Sequence, residues 1–118
     1  MARVLIIEDE VLVAMELCAI VEESGAVVHG PAHTLEMAMG LAQSEDIDYA
    51  LVDINLGGDR VTPIAAILRE RGIPFTFVSA YSRPQLPDGF GEEPLIEKPF
   101  SAAIIQKLMK SIMRPAVC

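Results

Sequence analysis

Basic residues are scarce in this chain. Nine Lys and Arg stand against 17 Asp and Glu, a formal net charge of −8. Nucleic-acid binding draws on a basic face, so a direct nucleic-acid partner is not expected, whereas clustered carboxylates would suit a cation. Long apolar runs are also missing. Nothing approaches the roughly 18 consecutive apolar residues of a membrane-spanning helix, and no membrane partner is expected. Met1-Ala2-Arg3 leads straight into a strand pattern, without the charged, apolar and cleavage regions of a secretory signal. Cysteine is rare: Cys18 falls in a helix pattern and Cys118 is the last residue. A disulfide framework is therefore not expected, and a reducing, cytoplasmic setting fits. Repeats, low-complexity stretches and linkers are absent as well. What is present is 118 residues with 52% apolar composition, which is expected to bury one core as a single domain over 1–118.

Along the chain, short continuous apolar runs alternate with segments of 3.6-residue period. Arg3-Val4-Leu5-Ile6-Ile7 has no polar interruption and reads as a central strand covered on both faces. From Val11 the period lengthens: Val11, Ala14, Cys18 and Val21, with Met15 beside them, predict an amphipathic helix that Gly25 ends. Residues 26–32 form a weaker strand. Pro31 lacks an amide donor, which puts that strand at a sheet edge. Thr34 caps a second helix to about Ser44, with Leu35, Ala38, Leu41 and Ala42 inward and Gly40 weakening it. Tyr49 to Asp53 is the third strand. Thr62-Pro63 reads as an N-cap and first helical residue, ahead of an Ile64-Ile67-Leu68 stripe that stops at Gly72. Ile73 to Ser79 is the fourth strand. Residues 82–93 hold Pro84, Pro87, Gly89 and Gly91 and predict a loop with at most a turn of helix. Residues 94–97 are a short last strand. Ser101 caps the final helix, and Phe100 is placed to pack on Ile105. Strands alternating with helices predict an α/β fold with a doubly wound parallel sheet of five strands.

In such a sheet all strand C-termini lie on one rim, where ligands bind. Glu8-Asp9 follows the first strand, Asp53 ends the third, Ser79 ends the fourth and Lys98 follows the fifth. Each has an ordinary explanation alone: acids favour a helix N-terminus, Asp is common in turns, and Ser and Lys at strand ends are usually solvated. Their joint placement brings three carboxylates, a hydroxyl and an ammonium together. Carboxylates so close repel one another, and a hard divalent cation relieves the repulsion. A carboxylate beside a cation, a lysine and a hydroxyl is suited to accept a phosphoryl group, with Asp53 as nucleophile.

Over nearly its whole length the chain resembles the CheY-like receiver domain of bacterial two-component response regulators. The matching stretches are Val4-Leu5-Ile6-Ile7-Glu8-Asp9-Glu10, Leu51-Val52-Asp53-Ile54-Asn55-Leu56, Val78-Ser79-Ala80 and Glu97-Lys98-Pro99-Phe100. The resemblance implies a flavodoxin-like fold of strand order 2-1-3-4-5. No output domain is expected, since no linker to a second domain is seen. It also implies phosphorylation of Asp53 by a histidine kinase or phosphotransfer protein. Mg²⁺ (or Mn²⁺) would be held by Glu8, Asp9, Asp53 and the Asn55 carbonyl. Lys98, with Ala80 and Ile54, would contact the phosphoryl group, Ser79 would move toward it as a switch, and Lys98-Pro99 would be cis. Two departures stand out. Leu95 occupies a position that is often aromatic on the last strand. Phe77-Val78-Ser79-Ala80-Tyr81 is similar to the Phe-x-Thr-Gly-Tyr stretch of an alphaproteobacterial subgroup, in which Tyr81 takes part of the aromatic role and the fourth helix is short or disordered.

Other residues are read as structural. His29 and His33 lie off the acidic rim, the methionines are mostly core filler, Asp59 and Arg60 are solvated loop charges, and Glu10 is helix-terminal charge outside the metal set. Alternative functions are weighed on the same residues. A pseudo-receiver would not need the full Glu8-Asp9-Asp53-Ser79-Lys98 set. A phosphohydrolase would need a cap and a further general acid, where Asn55 stands. A flavin carrier would need a phosphate loop where Glu8-Asp9-Glu10 repels phosphate. The expected role is a switch that acts through a downstream target protein, monomeric by preference, with a weak dimer through the last helix and strand as the alternative. No enzymatic activity is expected beyond phosphorylation and dephosphorylation of Asp53 itself.

Overall fold

Alternating side chains on each strand build two separate apolar layers, and these decide where the helices go. The computed structural model describes residues 2–80 and 86–113. In chain order the elements are β1 (Arg3–Ile7), α1 (Val11–Glu23), β2 (Val27–Ala32), α2 (Leu35–Ser44), β3 (Tyr49–Asp53), β4 (Asn55–Leu56), β5 (Asp59–Arg60), α3 (Thr62–Glu70), β6 (Phe75–Ser79), β7 (Leu95–Glu97) and α4 (Ala102–Ile112). The main sheet is parallel with order β2-β1-β3-β6-β7, which is 2-1-3-4-5 counted over its five strands, as expected. β2, with Pro31, is at its edge.

Leu5, Ile7, Ala50, Val52, Phe75 and Phe77 point to one face, where they pack with α2 and α3 residues such as Ala38, Ala42, Ile64 and Leu68. Val4, Ile6, Tyr49, Leu51 and Val78 point to the other, against Leu17, Ile20 and Val21 of α1 and Ile105 and Met109 of α4. β1, β3 and β6 are covered on both sides, which is why they are mostly apolar; the polar Thr76 inside β6 is buried and hydrogen-bonded to Tyr49.

The inward face of α1 differs from the expected stripe. Ala14, Leu17, Ile20 and Val21 are buried, while Val11 and Met15 are 62% and 63% exposed. The three- and four-residue spacing fits either set, and only the position of the sheet selects between them. Met37 is exposed as well, so methionine is core filler at Met109 but not throughout. Thr34 and Ser101 cap α2 and α4, accepting hydrogen bonds from the amides of Met37 and Ile104. Phe100 packs against the cluster that contains Ile105. α3 departs from expectation: its N-cap is Val61, and Thr62 lies inside the helix. No helix occurs between Leu86 and Glu93; Leu86 and Phe90 anchor that stretch in the core. Among the described residues no helix is long and apolar enough to cross a membrane.

Candidate functional site

The C-terminal rim of the sheet assembles the site from residues far apart in sequence. Glu8 follows β1 and is fully buried, held in register because its amide donates to the Ala32 carbonyl at 2.9 Å. Asp53 is the last residue of β3, 4% exposed, and pairs with Val78. Ser79 ends β6, is buried and pairs with Glu97. Lys98 is fixed by its own amide, which donates to the Ser79 carbonyl at 2.7 Å. The Lys98-Pro99 peptide is cis.

Lys98 is the hub. Its Nζ lies 2.9 Å from Glu8 Oε1, 3.0 Å from Glu10 Oε1 and 3.5 Å from Asp53 Oδ2. The buried Glu8 Oε1 meets the ammonium as an ion pair outside hydrogen-bond geometry and has no hydrogen-bond partner. Without a hydrogen bond, this buried oxygen relies on the charge of the ammonium beside it. The other oxygen, Oε2, accepts from the Glu10 amide at 3.1 Å. Burial and the neighbouring Glu8 carboxylate outweigh Lys98 and the Asn55 amide, and Asp53 is pushed up to about 8. Burial alone would lower Lys98, but Glu8, Glu10 and Asp53 raise it above the ordinary lysine range. Burial and Glu8 thus bias Asp53 toward its protonated form.

The acidic triplet divides its work. Glu8 points inward. Asp9 Oδ2 turns to the loop after β3 and accepts from the Gly57 amide at 2.8 Å. Burial raises Asp9, yet hydrogen bonds with Asp53 and the Gly57 amide prevail, and it titrates below the ordinary carboxylate value. Glu10 reaches Lys98. Carboxylate oxygens of Glu8, Glu10 and Asp53 all fall within 4.8 Å of one another. Sequence reasoning puts Glu10 beside the pocket but outside the metal set, because helix-terminal charge explains it; the missing signal is the direction of the lysine that arrives from the end of β7.

The loop after Asp53 is a two-residue hairpin joining β4 to β5, with Gly57 and Gly58 at φ 61° and 89°. Positive φ at both central positions is the geometry that Gly-Gly allows in such turns. The Asn55 amide faces the acceptor, donating to Asp53 Oδ1 at 3.2 Å, while the Asn55 side chain accepts from Gly58. The Ile54 amide donates to the Val78 carbonyl, so here it belongs to the sheet rather than to the site. Ala80 follows Ser79 and is exposed. Tyr81 lies outside the described residues. Leu95 pairs with Phe77 and packs into the α2/α3 layer. His33 comes nearer to the site than expected: its Nδ1 is 3.0 Å from the Glu8 carbonyl, a backbone support rather than a ligand. His29 Nε2 accepts from Arg3 Nε at the far edge.

No family model matches the chain. It is 35% identical over 120 residues to the phyllosphere-induced regulator PhyR of Methylorubrum extorquens, covering 94% of this chain and 43% of that protein. The chain spans about half the length of the curated relatives it matches. The solution structure of SdrG from Sphingomonas melonis aligns with a TM-score of 0.81 at 33% identity, over 95% of this chain and 96% of that one. The REC domain of the Erythrobacter litoralis PhyR response regulator aligns with a TM-score of 0.81 at 31% identity, over 94% and 88%. With a rim of this geometry and solved relatives matched across nearly all of their own length, the chain belongs to the receiver-domain family of response regulators.

Proposed function

We propose that Asp53 is the phosphoacceptor of a two-component phosphorelay. The observation that carries this reading is the position of Asp53: a buried carboxylate at a strand end, between the Asn55 amide and the Lys98 ammonium. An Asp53 oxygen attacks the phosphorus of a phosphohistidine on a kinase or phosphotransfer protein. The new O–P bond forms as the P–N bond breaks, and the departing imidazole takes up a proton. Lys98 balances charge on the transferred oxygens, and the Asn55 and Ala80 amides orient them, so positioning and electrostatics supply the rate.

The donor set suits a hard divalent ion: oxygen-only ligands, a buried Glu8 oxygen without a hydrogen bond, and net negative charge. Glu8, Asp9 and Asp53, with the Asn55 carbonyl, would hold Mg²⁺ or Mn²⁺, which supplies charge neutralisation. The phosphoryl group then adds a charge near −2 beside Ser79. Movement of Ser79 toward it reshapes the surface between β6 and β7, and a downstream protein reads the change. In this reading the chain turns over no separate substrate, acts in the cytoplasm and works as a monomer.

Intact mass after incubation with acetyl phosphate and Mg²⁺ tests the reading. One phosphoryl adduct is expected on the wild type and none on Asp53→Ala or in EDTA. If no adduct forms, and beryllofluoride leaves the Ser79 and Ala80 amide resonances unmoved, the phosphoacceptor reading fails and a phosphorylation-independent interaction module replaces it.

A further inference from the structure

Glu10 occupies the N-cap position of α1, with extended backbone angles of φ −78° and ψ 114°, yet its side chain makes no cap hydrogen bond. Its carboxylate turns instead to Lys98, 3.0 Å away. Packing does not force this choice, because the Glu10 side chain is 61% exposed whereas that of Lys98 is 12% exposed. Lys98 Nζ donates to Glu10 Oε1 at 3.0 Å and to Asp53 Oδ2 at 3.5 Å, with Glu8 Oε1 beside it at 2.9 Å as an ion pair. A phosphoryl oxygen arriving on Asp53 competes with these carboxylates for the ammonium. Glu8 is fully buried and has nowhere to go. Asp53 carries the phosphoryl group itself. Glu10 alone of the three can swing into solvent at little cost.

We propose that Glu10 is a positioning residue that holds Lys98 in the resting state and yields it to the phosphoryl group. This rests on the phosphoacceptor reading and adds a regulator to the same site. Glu10 contributes to the resting state and not to the phosphorylated one, so it sets how readily Lys98 is recruited. Shortening or neutralising it releases Lys98 beforehand. An aspartate at this position keeps the charge, cannot span the same distance, and prefers to cap the helix.

Beryllofluoride at saturating Mg²⁺ tests this, with the Ser79 and Ala80 amide shifts as the signal, on wild type, Glu10→Gln and Glu10→Asp. Both variants are expected to half-saturate at beryllofluoride concentrations about two- to fivefold lower, the size of an exposed ion pair. In the ligand-free variants the Lys98 ammonium protons are expected to exchange faster with solvent. Tighter binding by Glu10→Gln alone would mean that bulk charge acts rather than the contact, and would overturn the proposal. Weaker binding by both would overturn it too, making Glu10 a metal or ligand contact. A wild type that responds beside variants that match it removes only the role of Glu10. A wild type that gives no response removes the phosphoacceptor reading, and this proposal with it.

Discussion

The guanidinium of Arg69 lies 3.9 Å from the centroid of the Phe90 ring. One residue of α3 thereby pins residues 86–93, the described stretch ahead of β7; residues 82–85, the start of the expected loop, lie outside the described residues. Arg69 also donates to the Gly89 carbonyl at 3.0 Å and stands 3.7 Å from Glu93. Beneath it, Phe90 meets Phe75 and Phe77 at centroid distances of 6.2 and 6.5 Å, within the range of favourable aromatic pairs. The exposed ion pair adds little, so the stack and the carbonyl bond carry the effect. Arg69→Ala is expected to cost about 1–2 kcal/mol. Hydrogen exchange at the Phe90 and Glu93 amides, which close turns on the Pro87 and Phe90 carbonyls, should accelerate. Unchanged protection at both amides would show that the segment is anchored by its apolar side chains alone.

Asp53 makes stability depend on pH in an unusual direction. It titrates near 3.8 when unperturbed and is pushed up to about 8 in the fold, mainly by burial and then by Glu8. Between those values the folded chain holds a proton that the unfolded chain has released. The contribution of Asp53 is thus complete below about pH 4 and is lost as pH rises through about 8. Asp53→Asn removes the titration and keeps the shape. Urea denaturation in EDTA should find the two proteins similar at pH 5, with the variant ahead by about 1–3 kcal/mol at pH 8.5, the scale of an uncompensated buried polar group. Mg²⁺ should narrow the gap by stabilising the wild type. Parallel stability curves across that range would refute the raised titration of Asp53.

Two glycines are expected to respond oppositely to alanine. Gly30 sits at φ 96°, and a Cβ there would meet the Ala32 amide nitrogen and the Ile6 carbonyl oxygen, both at 2.8 Å. Both neighbours are backbone in the β1–β2 pairing and cannot step aside. Gly30→Ala should cost about 2–4 kcal/mol. Gly40 lies within α2, and a Cβ added there would have no neighbour within 4 Å. Gly40→Ala should gain about 0.5–1 kcal/mol from helix propensity. Thermal and urea midpoints measured on the pair decide both signs.

Much of this architecture is legible in the order of the residues. The largely apolar make-up of β1, β3 and β6 follows from burial on two faces, and the proline in β2 from its place at an edge. Because a parallel sheet puts every strand end on one rim, the spacing of Glu8, Asp9, Asp53, Ser79 and Lys98 is enough to bring them together. The helix caps Thr34 and Ser101 are equally visible, since capping is settled within four residues. Thr62 misleads because Val61 provides the non-helical turn without a side-chain bond.

What remained for the tertiary structure was direction. Three consecutive acids at the end of β1 send their carboxylates to Lys98 and Asp53, to Gly57, and back to Lys98. Which goes where depends on the backbone angles of one strand-to-helix turn and on loops that arrive from 48 and 88 residues away. Likewise, Leu17 rather than Val11 faces inward, because a periodic stripe has several valid rotations and the sheet beneath α1 accepts one of them. The sequence by itself determined the layers and the rim, through local periodicity and chirality. The ion pairs on that rim were decided only once distant side chains competed for a single ammonium.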